Sequence, residues 1–185
     1  MNEIWKLPTQ KQLGEESFDL QTDFRQILEI LGWLNQDQLP LYLRWQVALG
    51  RFYGRPVPKA LQPEAVEYLC RFLNGGRAEE HSGRKLLDWE LDADLIVSDV
   101  NRAAGCEIRA LPYVHWWTFL SWFHSIGPGR LSTVVSIRDK LGRGQKLEAW
   151  EQQLYRREAD RILMRQPLTD RQRREKQELE ALLGP

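Results

Sequence analysis

Residues 111–127 read Leu-Pro-Tyr-Val-His-Trp-Trp-Thr-Phe-Leu-Ser-Trp-Phe-His-Ser-Ile-Gly, and no other stretch restricts the fold as much. Beyond Tyr113, five large aromatic rings fall within eight positions. Tyr113, Trp116, Trp117, Leu120 and Phe123 recur at the i, i+3, i+4, i+7 spacing of one helical face. Pro112 suits a first helical turn, where its missing N–H costs nothing, and Gly127 suits a left-handed stop. Each such ring can bury roughly 150–250 Å², worth at most about 4–6 kcal/mol at ~25 cal/mol per Å². A helix with this much to bury belongs at the centre of a core. It carries no reaction chemistry.

The rest of the chain reads as short helices between glycine and proline breaks. Residues 1–16, with Pro8 and Gly14, read as a loose lead-in. A helix from Thr22 to about Trp33 places Phe24, Ile27, Leu28 and Leu31 on one face. Residues 41–52 follow Pro40 as a second helix, stopped before Gly54. Pro63 opens a third, striped by Ala65, Val66, Leu69, Cys70 and Leu73 and closed by Gly75-Gly76. Residues 75–86 have almost no apolar anchor and predict a mobile surface loop.

Residues 91–104 carry Leu95, Ile96 and Val100 on one side, with Asp92 and Asp94 suited to the positive helix end. Leu131, Val134, Val135, Arg138 and Leu141 space another helix, and a polar one extends from Gln145 to about Met164. Its apolar anchors are Leu147, Trp150, Leu154, Ile162 and Leu163. A capping box at Thr169 begins a charged tail, residues 166–185, whose Leu179, Leu182 and Leu183 are too few to pack firmly.

No alternating strand is evident. The expected fold is therefore all-α: a compact bundle of about seven or eight short helices around the Trp-rich one, within a single domain at residues 1–165. The expected core is Phe24, Ile27, Leu28, Leu31, Leu69, Ile96, Val100, Trp116, Trp117, Leu120 and Phe123.

Composition narrows the function. With 42% hydrophobic and 28% charged residues the chain is globular. No run nears the ~18 apolar residues of a bilayer span, and the first residues lack a signal-peptide pattern, which predicts a cytoplasmic protein. Cys70 and Cys106 read as buried reduced thiols. Twenty-six basic and 26 acidic residues cancel, although residues 130–185 carry a net +4 and residues 1–129 a net −4. That asymmetry is too weak to announce a nucleic-acid partner and is compatible with self-association.

The groups that could carry chemistry do not assemble into a site. Nine positions separate His115 from His124, half a turn net, so the imidazoles face opposite sides of a regular helix and share no metal. Ser121 and His124 lie on one surface without the elbow of a hydrolase. Asp88, Glu90, Asp92, Asp94 and Asp99 lack the glycine of an EF-hand and read as helix N-terminal charges. The glycine pairs at 127–129 and 142–144 lack a Walker lysine and read as turns. Eight tryptophans among arginines could stack bases, but most occupy apolar-face positions. The expectation is a protein without cofactor, metal or catalytic residues.

Four segments, in order, resemble the bacteriophage gene-product-fifteen family of tailed phages and prophages. They are Leu20-Gln-Thr-Asp-Phe-Arg25, the Pro63-Glu-Ala-Val-Glu-Tyr-Leu helix with its glycine pair, Leu87-Asp-Trp-Glu-Leu-Asp-Ala-Asp-Leu-Ile96, and His115-Trp-Trp-Thr-Phe followed by Val135-Ser-Ile-Arg138. The likeness spans roughly residues 17–165, and the Trp pair after His is its most specific element. It implies a non-enzymatic morphogenesis protein of the host bacterial cytoplasm, encoded among tail genes. Its implied role is that of a tail assembly chaperone for the tape-measure protein. Phe119 and Trp122, off the main stripe, and Leu179, Leu182 and Leu183 of the tail are the candidate partner-binding residues. The rival reading is a small prophage-encoded helical regulatory or nucleic-acid-binding protein.

Overall fold

The computed structural model describes residues 6–77 and 84–165. The tail at 166–185, with Leu179, Leu182 and Leu183, lies outside the described residues, as do residues 78–83 of the expected loop at 75–86. The fold is mostly helical, with one correction at its start. Residues 10–19, within and just beyond the expected loose lead-in, form a β-hairpin of β1 (Gln10–Leu13) and β2 (Glu16–Asp19), paired antiparallel with Leu13 opposite Glu16. Gly14, at φ +56°, supplies the left-handed residue that the two-residue turn requires. Leu13 and Phe18 alternate inward and are fully buried. With only one apolar residue buried per four-residue strand, the alternation is too short to be read as strand from sequence.

Eight α-helices follow among the described residues. They are α1 (Phe24–Leu34), α2 (Leu41–Phe52), α3 (Gln62–Leu73), α4 (Ala93–Ala104), α5 (Trp116–His124), α6 (Arg130–Gly142), α7 (Ala149–Arg157) and α8 (Ala159–Ile162). Short 3-10 turns at Lys59–Leu61 and Ile108–Ala110 lead toward α3 and α5. The boundaries follow the breaks: Gly105, left-handed at φ +71°, ends α4, and Gly75 and Gly76 close α3. The expected single helix at 145–164 is instead α7 and α8, separated at Glu158.

The core draws buried apolar residues from every described helix except α7, whose buried residue is Glu151. Phe24, Ile27, Leu69, Ile96, Val100, Trp116, Trp117 and Leu120 are buried as expected. Leu28, Leu31 and Phe123 are only partly buried, packed against the edge of the core. Three anchors differ. Tyr113 lies outside α5 and is 53% exposed, and Trp150 and Leu163 are also exposed. Cys106 is exposed and Cys70 partly so, rather than both being buried.

Candidate functional site

The aromatic helix starts at Trp116, beyond both Pro112 and Tyr113, because His115 caps it. The His115 Nδ1 accepts from the Trp117 amide at 3.0 Å, and its Nε2 faces the Pro8 carbonyl at 3.1 Å. The second partner is an acceptor, so Nε2 carries the proton and the imidazole is neutral. Burial pushes the His115 pKa below its ordinary value, and the Pro8 bond opposes this only in part. His124 is exposed on the far end of α5, and Ser121 Oγ donates to the Trp117 carbonyl rather than to His124. Nor does Gly127 end α5, which closes at Ser125. Among the described residues no group of His, Cys, Asp and Glu is placed to hold a metal ion.

The starts of α1 and α5 are joined backbone to backbone. The Trp116 amide donates to the Thr22 carbonyl at 2.7 Å and the Phe24 amide to the Val114 carbonyl at 2.9 Å. Asp23 caps α1 through the Arg25 amide and also accepts from the Val114 amide. Tyr113 stays outside the core, where its hydroxyl bonds Thr22 Oγ1 at 2.7 Å. The Trp116 and Trp117 indoles donate to the Leu73 and Phe72 carbonyls at 3.0 and 2.9 Å. These are among the last carbonyls of α3, which have no partner within their own helix.

Phe119, expected among the partner-binding residues, does not lie at the surface. It is 1% exposed, stacked on Phe24 at 4.9 Å and on Trp116 at 5.3 Å. The nine-residue α5 is enclosed by α1, α4 and the segment around Trp89, so an off-stripe ring is still covered. Trp122 is partly buried, also packed on the core.

The acidic cluster divides into separate roles. Asp92 stands at the N-cap of α4 as expected, but its side chain is fully buried and, instead of bonding the helix amides, meets Arg138 in a two-pronged ion pair at 2.6 and 2.9 Å. Asp99, also buried, pairs with Arg102 and accepts from the Leu131 amide at the start of α6. Asp94 does lie in the first turn of α4, and its ion pair with Arg161 is the main cause of its lowered pKa. Burial raises the Asp88 carboxyl, but the Leu91 and Glu90 amides and Lys85 together bring it below the usual range.

Uncovered surface lies elsewhere. All the fully buried residues of α2 are in its C-terminal half: Ala48, Leu49 and Phe52. Leu41 shares their face, at offsets of 4, 7 and 11 from Trp45, Ala48 and Phe52, yet is 64% exposed. Tyr42 is 67% and Leu43 38% exposed beside it. Three consecutive apolar residues cannot all face one core, and that signal was present in Leu41-Tyr-Leu43. Before this helix, a groove of about 710 Å³ is lined by Leu28 and Gly32 of α1, the loop at 35–38, and Trp89. Glu29, Asp37, Asp88 and Glu90 outnumber Arg25 and Lys85 around it.

Comparison of the chain with protein families, with curated proteins and with solved structures gives no match. No helix among the described residues is long and apolar enough to cross a membrane.

Proposed function

We propose that this chain is a non-enzymatic protein of tailed-phage or prophage virion tail assembly. In this reading it is a chaperone-like partner of the tape-measure protein in the host bacterial cytoplasm. The observation that carries the reading is the unfinished apolar stripe of α2. Leu41 extends that helical face past the point where the described residues cover it, and Tyr42 and Leu43 are exposed beside it. A long helical partner with its own apolar stripes finds there a surface that excludes water from them. Trp122 and the tail leucines Leu179, Leu182 and Leu183 remain part of the proposed surface. Phe119 does not.

A second point supports the resemblance from which the role comes. Its segments are the joints of the fold: Asp23 meets Val114, the Trp116-Trp117 pair caps the end of α3, and Asp92 meets Arg138.

The test is co-expression with a fragment of a tailed-phage tape-measure protein. The fragment stays soluble with the chain and precipitates without it; equal precipitation in both cases refutes the role. Salt-sensitive binding to single-stranded DNA at micromolar concentration would instead favour the regulatory, nucleic-acid-binding reading.

A further inference from the structure

The hairpin has one edge turned toward a groove. The Leu20 amide donates to the Thr9 carbonyl, and the register sets Lys11 opposite Phe18 and Gln12 opposite Ser17. This parity makes Lys11–Phe18 a hydrogen-bonded pair and leaves the N–H and C=O groups of Gln10 and Gln12 pointing away from β2. Both residues are exposed. They wall a groove of about 320 Å³ whose other side is Tyr68 and Arg71 of α3, with the buried rings of Phe72 and Trp117 in its lining. A hollow of about 210 Å³ continues from it, sharing Leu7 and Trp117.

Among the described residues the charged side chains lining this groove are Lys6, Lys11 and Arg71, with no carboxylate beside them. Glu64 and Glu67 pair with Lys11 and Arg71 from outside the groove. An open strand edge beside a helix offers main-chain hydrogen bonds, aromatic rings offer apolar contact, and the cations select charge.

We propose that this groove takes an extended acidic segment of a partner protein, which adds as a third strand to the outer edge of β1, an edge that no described strand pairs. The backbone of Gln10 and Gln12 supplies the hydrogen bonds, the exposed Leu7 and the edge of Trp117 take apolar side chains, and Lys6, Lys11 and Arg71 meet carboxylates. The inference does not depend on the tail-assembly role, because it names a mode and a chemistry of recognition at a groove whose lining includes no residue of α2.

The full-length chain is titrated against a fluorescein-labelled heptapeptide of alternating Val and Glu, and against its Val and Lys counterpart, by fluorescence anisotropy. The acidic peptide binds at least about ten-fold more tightly, and raising salt to about 0.5 M weakens it. Gln12→Pro removes an outward N–H without touching the β1–β2 ladder, and reduces binding about ten-fold. Ser17→Pro removes the equivalent N–H on the opposite edge and leaves binding unchanged. In the unmodified chain, amide exchange at Gln10 and Gln12 slows when the acidic peptide is bound. Equal affinity for both peptides, equal effects of the two proline variants, or unchanged exchange at Gln10 and Gln12 would overturn the proposal.

Discussion

Asp92 and Arg138, 46 positions apart, meet in a bidentate ion pair with side chains 0% and 2% exposed. Every guanidinium nitrogen of Arg138 is engaged: Nε with the Ile162 carbonyl, Nη1 with Leu86 and Asp92, and Nη2 with Asp92 and Arg161. Asp92 Oδ2 accepts in addition from the Asp88 amide. One side chain thereby ties α6 to the start of α4, the end of α8 and the segment leading from residue 84.

Removing the cation leaves a buried carboxylate without compensation. Arg138→Met should cost about 3–5 kcal/mol, read as a lowered urea midpoint. Adding Asp92→Leu to it removes the stranded charge and recovers part of the loss. Recovery stays incomplete, because the Leu86, Arg161 and Ile162 carbonyls lose their donor as well. A single-variant loss below about 1 kcal/mol would show that the pair contributes little.

His115 sets a pH dependence of known sign. Its native pKa lies below its ordinary value of 6.5, so under acidic conditions the unfolded chain binds the proton first. Stability is therefore greatest above 6.5 and falls as pH drops from 6.5 toward the lowered native value. His115→Asn keeps a capping acceptor and removes the titrating group, so the slope between about pH 6.5 and 5 should flatten. Chemical denaturation of both proteins across that range measures it.

A second acid limb belongs to carboxylates. Hydrogen bonds from the Arg109 side chain and amide hold Glu107 down to about 2, and Lys140 together with the Glu148 amide lowers Glu151. Asp88 and Asp94 are lowered too. Groups of this kind stabilise the fold above their unfolded pKa and lose that contribution as pH falls through the native one. The stability profile of His115→Asn should therefore still decline below about pH 4.5.

Gly76 and Gly105 are both left-handed, at φ +82° and +71°, but differ in what surrounds them. A Cβ on Gly76 would lie 2.9 Å from the Trp117 ring, whereas one on Gly105 meets nothing within 4 Å. Gly105→Ala should cost about 1–2 kcal/mol from backbone strain alone. Gly76→Ala should cost about 1–3 kcal/mol more, with a changed near-ultraviolet tryptophan signal. Equal losses would mean that Trp117 yields without penalty.

The exposed start of α2 should be dispensable for folding. Leu41→Ser with Tyr42→Ser should change stability by less than about 1 kcal/mol, since little apolar area is already buried there. The same pair should abolish any solubilising effect on a tape-measure fragment. Thermal unfolding and the co-expression assay separate the two effects.

Much of this architecture was legible before any tertiary information. The stripes of α1, α3 and α4 identified Phe24, Ile27, Leu69, Ile96 and Val100 as core, because helical periodicity is local and each face needs only one neighbour. Residues 41–52 were placed as α2 with both ends correct, since Pro40 and Gly54 bracket them. The hairpin was not legible: four-residue strands with one buried apolar side chain each carry too short a pattern.

The candidate surfaces were the least legible part. Phe119 and Trp122 looked spare on a helical wheel, but a wheel does not show how many neighbours a short helix has, and α5 has them on several sides. His115, Asp92 and Arg138 could be seen as polar residues in apolar surroundings. Their partners could not, because Pro8 lies 107 positions from His115 and Asp92 lies 46 from Arg138. Sequence alone determined which residues seek burial, since that depends on side-chain chemistry and local spacing. Only the tertiary structure decided which polar groups pair and which apolar faces stay open, because both depend on segments that meet through space rather than along the chain.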